Sequence, residues 1–101
     1  MVESKFQSIL IKELKERFKG CEVVKNDANY KQGIPDLTVF YGNHWAMLET
    51  KRSEDAPHRP NQDYYVSLFN DMSYAAFIFP ENKEVILNEV EQAFKTWGSS
   101  R

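Results

Sequence analysis

Apolar residues recur with helical spacing in three stretches of the chain, at residues 3–18, 61–72 and 83–97. In each stretch they repeat every three or four positions, which is the spacing of one buried helix face. Gly20 and Gly98 follow the first and third stretches, and glycine is common where a helix ends. The predicted faces consist of a buried stripe of Phe6, Ile9, Leu10, Leu14 and Phe18 in the first helix, one shared face of Tyr65, Leu68, Phe69 and Met72 in the second, and the inward residues Ile86, Val90, Ala93, Phe94 and Trp97 in the third.

The remaining apolar runs are short and resemble strands. Residues 36–41 and 44–51 are separated by a glycine–asparagine pair, which predicts a β-hairpin with a two-residue turn. Residues 22–24 predict a short first strand, and residues 74–79 predict a buried last strand that ends at a proline. Residues 52–61 are polar, contain two prolines and predict a loop. The order α, β, β, β, α, β, α indicates an α/β fold with a small mixed sheet flanked by helices.

Length and composition limit the kind of protein. With 101 residues, the chain is expected to form a single domain over residues 1–101, and its small core would benefit from a partner subunit, such as a homodimer provides. Its single cysteine indicates a reducing, intracellular setting. The longest apolar run, at residues 74–79, is far shorter than the roughly 18 residues of a membrane span. A net charge of −2 argues against a protein that coats DNA, but a nuclease also needs clustered carboxylates.

The hairpin carries the residues that indicate chemistry. Asp36 opens the first hairpin strand, while Glu49 and Lys51 lie two apart near the end of the second, so both point to one face and Thr50 to the other. Antiparallel pairing can bring Asp36 close to Glu49. Two neighbouring carboxylates are costly unless a cation neutralises them, and Mg²⁺ or Mn²⁺ suits oxygen ligands. Lys51 can then position a water or stabilise transition-state charge. Gly33 permits a close approach by the chain or by DNA.

Two further polar residues lie near predicted buried helix faces. Glu3 precedes Phe6 by three positions, and Gln62 precedes Tyr65 by three, so both side chains can face the hairpin. Each also has a simpler explanation, because glutamate in a first turn complements the helix dipole and a polar residue is common there. The alternative carboxylate on the first helix is Glu13.

Considered together, these residues resemble a known family. The set of Glu3, the Gly33-Ile-Pro-Asp-Leu run, the Leu48-Glu-Thr-Lys run and Gln62 resembles the VRR-NUC branch of the PD-(D/E)XK nucleases, and it is similar to archaeal-type Holliday-junction resolvases. The resemblance covers residues 3–80 and implies a restriction-endonuclease-like core. It also implies a phage or bacterial protein, acting as a homodimer on branched DNA in the cytoplasm of a bacterium or an infected host cell.

The resemblance implies a role for each motif residue. Glu3, Asp36 and Glu49 would gather the Mg²⁺ or Mn²⁺ ion, and the carbonyl of Thr50 would add a ligand. Lys51 would assist catalysis, and Gln62 would support the site or contact DNA. A bare PD…ExK pattern arises by chance in roughly a few per cent of chains of this length.

Residues on two loops are candidates for contacts with nucleic acid. One loop precedes Asp36 and the other follows Lys51, where basic residues can form a lip over the site. The acidic pair Glu54 and Asp55 in the second loop would repel phosphate unless it is turned away. Each candidate for a nucleic-acid contact could instead be an ordinary loop residue without a functional role. The candidates are Lys25, Asn29, Lys31, Arg52, His58 and Arg59.

Three functions are compatible with this sequence. The first is a metal-dependent endonuclease acting on four-way or other branched DNA. The second is a nuclease for flaps or nicks that works with a replication or recombination protein. The third is a non-catalytic module for binding nucleic acid or protein, which the acidic net charge slightly favours and the intact carboxylate–lysine set opposes. Two side chains are assigned no functional role, namely His44, expected on the surface, and Cys21, expected in the core.

Overall fold

Helices and strands follow one another in the predicted order. The computed structural model describes residues 1–99, with side chains described as far as Lys95. Its elements are helix α1 (Glu3–Arg17), strands β1 (Glu22–Lys25), β2 (Leu37–Tyr41) and β3 (His44–Thr50), helix α2 (Gln62–Met72), strand β4 (Ala75–Ile78) and helix α3 (Lys83–Ser99), with a 3₁₀ turn at Pro80–Asn82. The predicted α/β class, mixed sheet and flanking helices are confirmed.

The four strands form one sheet in the order β1-β2-β3-β4. Strands β1, β2 and β3 are antiparallel neighbours, while β4 is parallel to β3 and is reached through α2. The predicted hairpin is present: Tyr41 pairs with His44 across a two-residue turn, and Leu37 pairs with Leu48. Gly42 has a φ of +64°, which a first central turn residue needs if a tight hairpin is to follow the strand twist.

Alternate residues of the hairpin face different helices. Val39, Ala46 and Leu48 are fully buried in the cluster that α1 and α3 cover, and this cluster is the main core. On the other face, Trp45 packs edge-on against Phe69 of α2, with ring centroids 6.2 Å apart. Because β3 alternates its side chains, Glu49 shares the α2 face, and Thr50 shares the face of α1 and α3.

Three predictions about burial on the helices and one about a helix end need correction. Ile9 is 39% exposed and Met72 is 59% exposed, because the buried faces are narrower than the apolar stripes. Leu87, which the prediction omitted, is fully buried. Helix α3 continues to Ser99, so Gly98 does not end it. The predicted burial of Trp97 lies outside the described side chains.

Two side chains without a predicted role also have defined places. The half-buried ring of His44 stacks on Phe94 with centroids 5.9 Å apart, so it is packed rather than free on the surface. Cys21 is buried as predicted, with its Sγ 3.7 Å from the carbonyl oxygen of Leu14. Over residues 1–99, none of the helices has the length and apolar character that crossing a bilayer requires.

Candidate active site

The hairpin residues meet at one end of the sheet, in a cleft of about 420 Å³. Asp36 lies directly before β2, Glu49 lies near the end of β3, and Lys51 directly follows that strand. All three line the cleft, as does Gln62 from the first turn of α2. The hairpin register brings Asp36 and Glu49 together. Leu37 pairs with Leu48, so the residue before Leu37 lies opposite the residue after Leu48.

Asp36 is fixed by hydrogen bonds from two elements. Its Oδ1 accepts from the backbone N–H of Thr50 at 3.0 Å. Its Oδ2 accepts from the Thr50 hydroxyl and, at 2.9 Å, from Nε2 of Gln7 on α1. The carboxylate is therefore held between β3 and α1, and Thr50 has a supporting role through its hydroxyl and amide groups.

Glu49 and Lys51 are linked through one amide. Gln62 donates from Nε2 to Oε2 of Glu49 at 3.0 Å, and its Oε1 accepts from Nζ of Lys51 at 2.7 Å. The same Oε1 also accepts from the backbone N–H of Arg59 at 2.8 Å, which fixes the orientation of the amide. Lys51 also donates to the carbonyl oxygen of Pro57 at 3.0 Å. The expected placement of Glu49 and Lys51 on one face is confirmed.

Glu49 lies close enough to Asp36 for the charge of Asp36 to act on it. The backbone N–H of Asp36 donates to Oε1 of Glu49 at 3.2 Å. Burial, followed by the negative charge of Asp36, raises the pKa of Glu49 to about 8, although Lys51 opposes the shift. Burial also raises the pKa of Asp36, against the hydrogen bonds from Thr50 and Gln7. Both carboxylates therefore carry an electrostatic penalty that a bound cation would relieve.

Two loops form the walls of the cleft and touch each other. Gly33 has a φ of +92°, and a Cβ built on it would lie 2.7 Å from backbone and side-chain carbons of Asn61 and 2.8 Å from the carbonyl oxygen of Pro60. The close approach predicted for Gly33 is therefore made by the chain itself. Asn61 has a φ of +70°, so both sides of the contact depend on left-handed backbone.

The three carboxylates predicted to bind the metal do not form a close group. Glu3 lines the cleft, but it is exposed, and its charge raises the pKa of Glu49 as only a minor cause. Among the described residues, no three Asp, Glu, His or Cys side chains lie close enough to share a metal ion. Asp36 and Glu49 are the less exposed of the three carboxylates that line the cleft. Glu13, the alternative on α1, pairs with Lys83 at 2.9 Å instead.

The predicted nucleic-acid contacts divide into two groups. Arg52 and Arg59 line the cleft and are exposed. Lys25, Asn29, Lys31 and His58 do not line it. The ring of His58 stacks on Phe77 with centroids 4.0 Å apart and bonds to Asp63 through Nδ1 at 2.7 Å.

The acidic pair in the second loop does not line the cleft. Glu54 and Asp55 are exposed, and Asp55 accepts a hydrogen bond from the Ser53 hydroxyl at 2.6 Å. The repulsion of phosphate that their sequence positions suggested is therefore not directed into the site.

Two residues that support the site were not identified from the sequence. Gln7 follows Glu3 by four positions, so it lies on the same side of α1, and this spacing was the available signal. Asn26 ties the start of β2 in place, because its Nδ2 donates to the carbonyl oxygen of Pro35 at 2.9 Å and to Oγ1 of Thr38 at 2.8 Å. An asparagine after a short strand carries no comparable signal.

Comparisons with protein-family models, curated proteins and solved structures gave no match to this chain.

Proposed function

We propose that this protein is a Mg²⁺- or Mn²⁺-dependent endonuclease that hydrolyses phosphodiester bonds in branched DNA. The observation that carries the proposal is the pair of Asp36 and Glu49, set side by side in one cleft with the buried amine of Lys51. This arrangement is consistent with the PD-(D/E)XK resemblance, and a restriction-endonuclease-like core is part of the proposal.

The chemistry of the oxygen donors fits a hard divalent cation. Mg²⁺ is commonly bound through one or two carboxylates, with water and substrate phosphate completing its octahedron, so Asp36 and Glu49 suffice as side-chain ligands. The raised pKa of both carboxyl groups supports this, because a cation would offset the cost of ionising them in the same cleft. When bound, the ion would polarise the phosphodiester and acidify a water molecule.

Lys51 would act on charge that develops at the phosphate. Its side chain is 4% exposed, and its Nζ donates to two neutral oxygens, from Pro57 and Gln62, so its positive charge is not cancelled by these partners. A fixed cation in a partly dry cleft stabilises an anionic transition state more strongly than one in water. Gln62 is the positioning residue, because it holds Lys51 and Glu49 at once.

The test is cleavage of a labelled four-way junction and a matched linear duplex, with Mg²⁺, with Mn²⁺ and with chelator. Wild type, Glu49→Ala and Glu54→Ala should be compared, because Glu54 is an exposed glutamate outside the cleft. We expect metal-dependent cleavage by the wild type and by Glu54→Ala, and no cleavage by Glu49→Ala. No cleavage of either substrate with either metal would reject the proposal.

Thermal unfolding gives an independent readout of the metal. Mn²⁺ should raise the melting temperature of the wild type and of Glu54→Ala, since a ligand that binds only the folded state stabilises it. Glu49→Ala should lose most of this increase. An equal increase in all three proteins would place the ion elsewhere.

A further inference from the structure

The loop between β3 and α2 supplies backbone groups to two side chains of the site. The carbonyl oxygen of Pro57 accepts a hydrogen bond from Nζ of Lys51 at 3.0 Å. The backbone N–H of Arg59 donates to Oε1 of Gln62 at 2.8 Å, and the same oxygen accepts from Lys51 at 2.7 Å. The positions of Lys51 and Gln62 therefore depend on where the backbone of residues 57–59 lies.

His58 stands between these two backbone groups. Its ring stacks on the ring of Phe77, with centroids 4.0 Å apart and an angle of 16° between the planes. Its Nδ1 lies 2.7 Å from Oδ1 of Asp63, in the first turn of α2. One side chain thus ties the middle of the loop both to the sheet and to the helix that follows.

The point to which the loop is tied lies beside the site. Phe77 is the residue of β4 that pairs with Glu49 of β3. Directly paired residues of neighbouring strands point to the same face of a sheet, so Phe77 lies next to Glu49 on the α2 face. The ring of His58 therefore rests on the direct neighbour of a carboxylate of the site.

The residues on either side of His58 do not provide comparable anchoring. Pro57 and Arg59 are exposed, and the contact that Gly33 makes with this loop begins only at Pro60. An ordinary surface histidine would have a free ring, whereas this ring has one face and one nitrogen engaged. His58 does not line the cleft, so it is placed to act on the site through the loop rather than by touching the substrate there.

We propose that His58 is a positioning residue: by holding residues 57–59 against Phe77, it fixes the backbone groups that orient Lys51 and Gln62. The inference rests on the proposed nuclease function for its effect on cleavage. The anchoring itself is a property of the metal-free protein and can be measured without DNA.

The stacked ring is the stronger of the two contacts of His58. The side chains of His58 and Asp63 are 37% and 76% exposed, and ion pairs as exposed as this one contribute little. Stacked rings bury apolar area and have a preferred geometry as well. Phenylalanine at this position keeps the stacking and loses the ion pair, so it should preserve most of the anchoring.

The experiment follows hydrogen exchange of the Arg59 backbone amide by NMR in chelator, and separately measures cleavage with Mn²⁺. Wild type is compared with His58→Ala and His58→Phe. The matched control is His44→Ala, because the His44 ring also stacks on a phenylalanine, Phe94, at 5.9 Å and 20°, but at the turn of the hairpin. Because His58 is at the surface, alanine there leaves the packing of the core intact.

An amide inside the sheet corrects for any change in overall stability. The N–H of Met47 donates to the carbonyl oxygen of Tyr74 at 2.9 Å and therefore reports the opening of the sheet. The quantity compared between variants is the exchange rate of the Arg59 amide divided by that of the Met47 amide.

His58→Ala should raise this ratio about tenfold or more, because the loop opens locally while the sheet does not. It should also lower kcat roughly 10- to 100-fold and leave the KM for DNA within about twofold, because misplaced groups at the reacting centre cost rate rather than binding. His58→Phe should stay within about threefold of wild type in both measurements. His44→Ala should match wild type in the exchange ratio and in kcat.

Three results overturn the inference. The first is an unchanged exchange ratio in His58→Ala, the second is an equal rise of the ratio in His44→Ala, and the third is a kcat that stays at the wild-type value while the ratio rises in His58→Ala. If the ratio depends on His58 but the wild type cleaves no DNA with Mn²⁺, the nuclease proposal fails and the anchoring of the loop stands.

Discussion

Replacing Glu49 with glutamine should remove much of the pH dependence of stability in the metal-free protein. Burial and the charge of Asp36 raise the pKa of Glu49 from 4.5 to about 8 in the folded chain. Between these values the folded protein keeps a proton that the unfolded chain has released, so the unfolded state binds fewer protons. This stabilising contribution is complete below pH 4.5 and is lost as the pH rises toward 8.

The magnitude follows from the same two values. Each pH unit in this window lowers the free energy of unfolding by about 1.4 kcal/mol, so the whole window corresponds to at most about 5 kcal/mol. The hydrogen bond from Gln62 to Oε2 favours the charged form of Glu49. We therefore expect a loss on the order of 2–3 kcal/mol between pH 5 and pH 8 that the variant does not show.

Urea unfolding in chelator at several pH values, followed by tryptophan fluorescence, measures this loss. The glutamine variant also suffers a pH-independent penalty of about 1–3 kcal/mol, because its NH₂ group must face a donor, either the N–H of Asp36 or Nε2 of Gln62. The pH slope is therefore the diagnostic quantity, and Glu54→Gln should keep the wild-type slope. If Glu49→Gln keeps that slope too, the burial and charge argument for this site is wrong.

Three other perturbations test the surroundings of the site. Gly33→Ala should lower the free energy of unfolding by about 2 kcal/mol more than Gly20→Ala in urea titrations, because both have left-handed backbone but only Gly33 has neighbours within 3 Å. Gln7→Leu removes a hydrogen bond to Asp36 and should weaken Mn²⁺ binding roughly tenfold in calorimetry; unchanged affinity would remove Gln7 from the site. Lys51→Met should reduce cleavage at least about 100-fold while measurable Mn²⁺ binding persists, because the lysine is assigned to the phosphate; loss of both would show that it maintains the site instead.

Local pattern determined most of the elements and the central pair of the site. The glycine–asparagine turn admits two residues between the strands, so Tyr41 must pair with His44, and the same register brings Asp36 opposite Glu49. Side-chain alternation then places Glu49 and Lys51 on one face. These relationships involve residues close in sequence, and hydrophobic period and turn length suffice to predict them.

Gln62 was among the predicted site residues, but only the tertiary structure decided how distant residues reach the hairpin. Gln7 reaches Asp36 because α1 packs across the sheet, and Gln62 reaches Glu49 because α2 leads into a strand parallel to β3. The contact of Gly33 with the loop before α2 has the same origin. Such contacts depend on how whole faces of helices and sheet are buried together, and periodicity shows that a face is apolar without showing its partner. Sequence thus determined the hairpin and its carboxylates, while packing determined their hydrogen bonds, their burial and the closed walls around them.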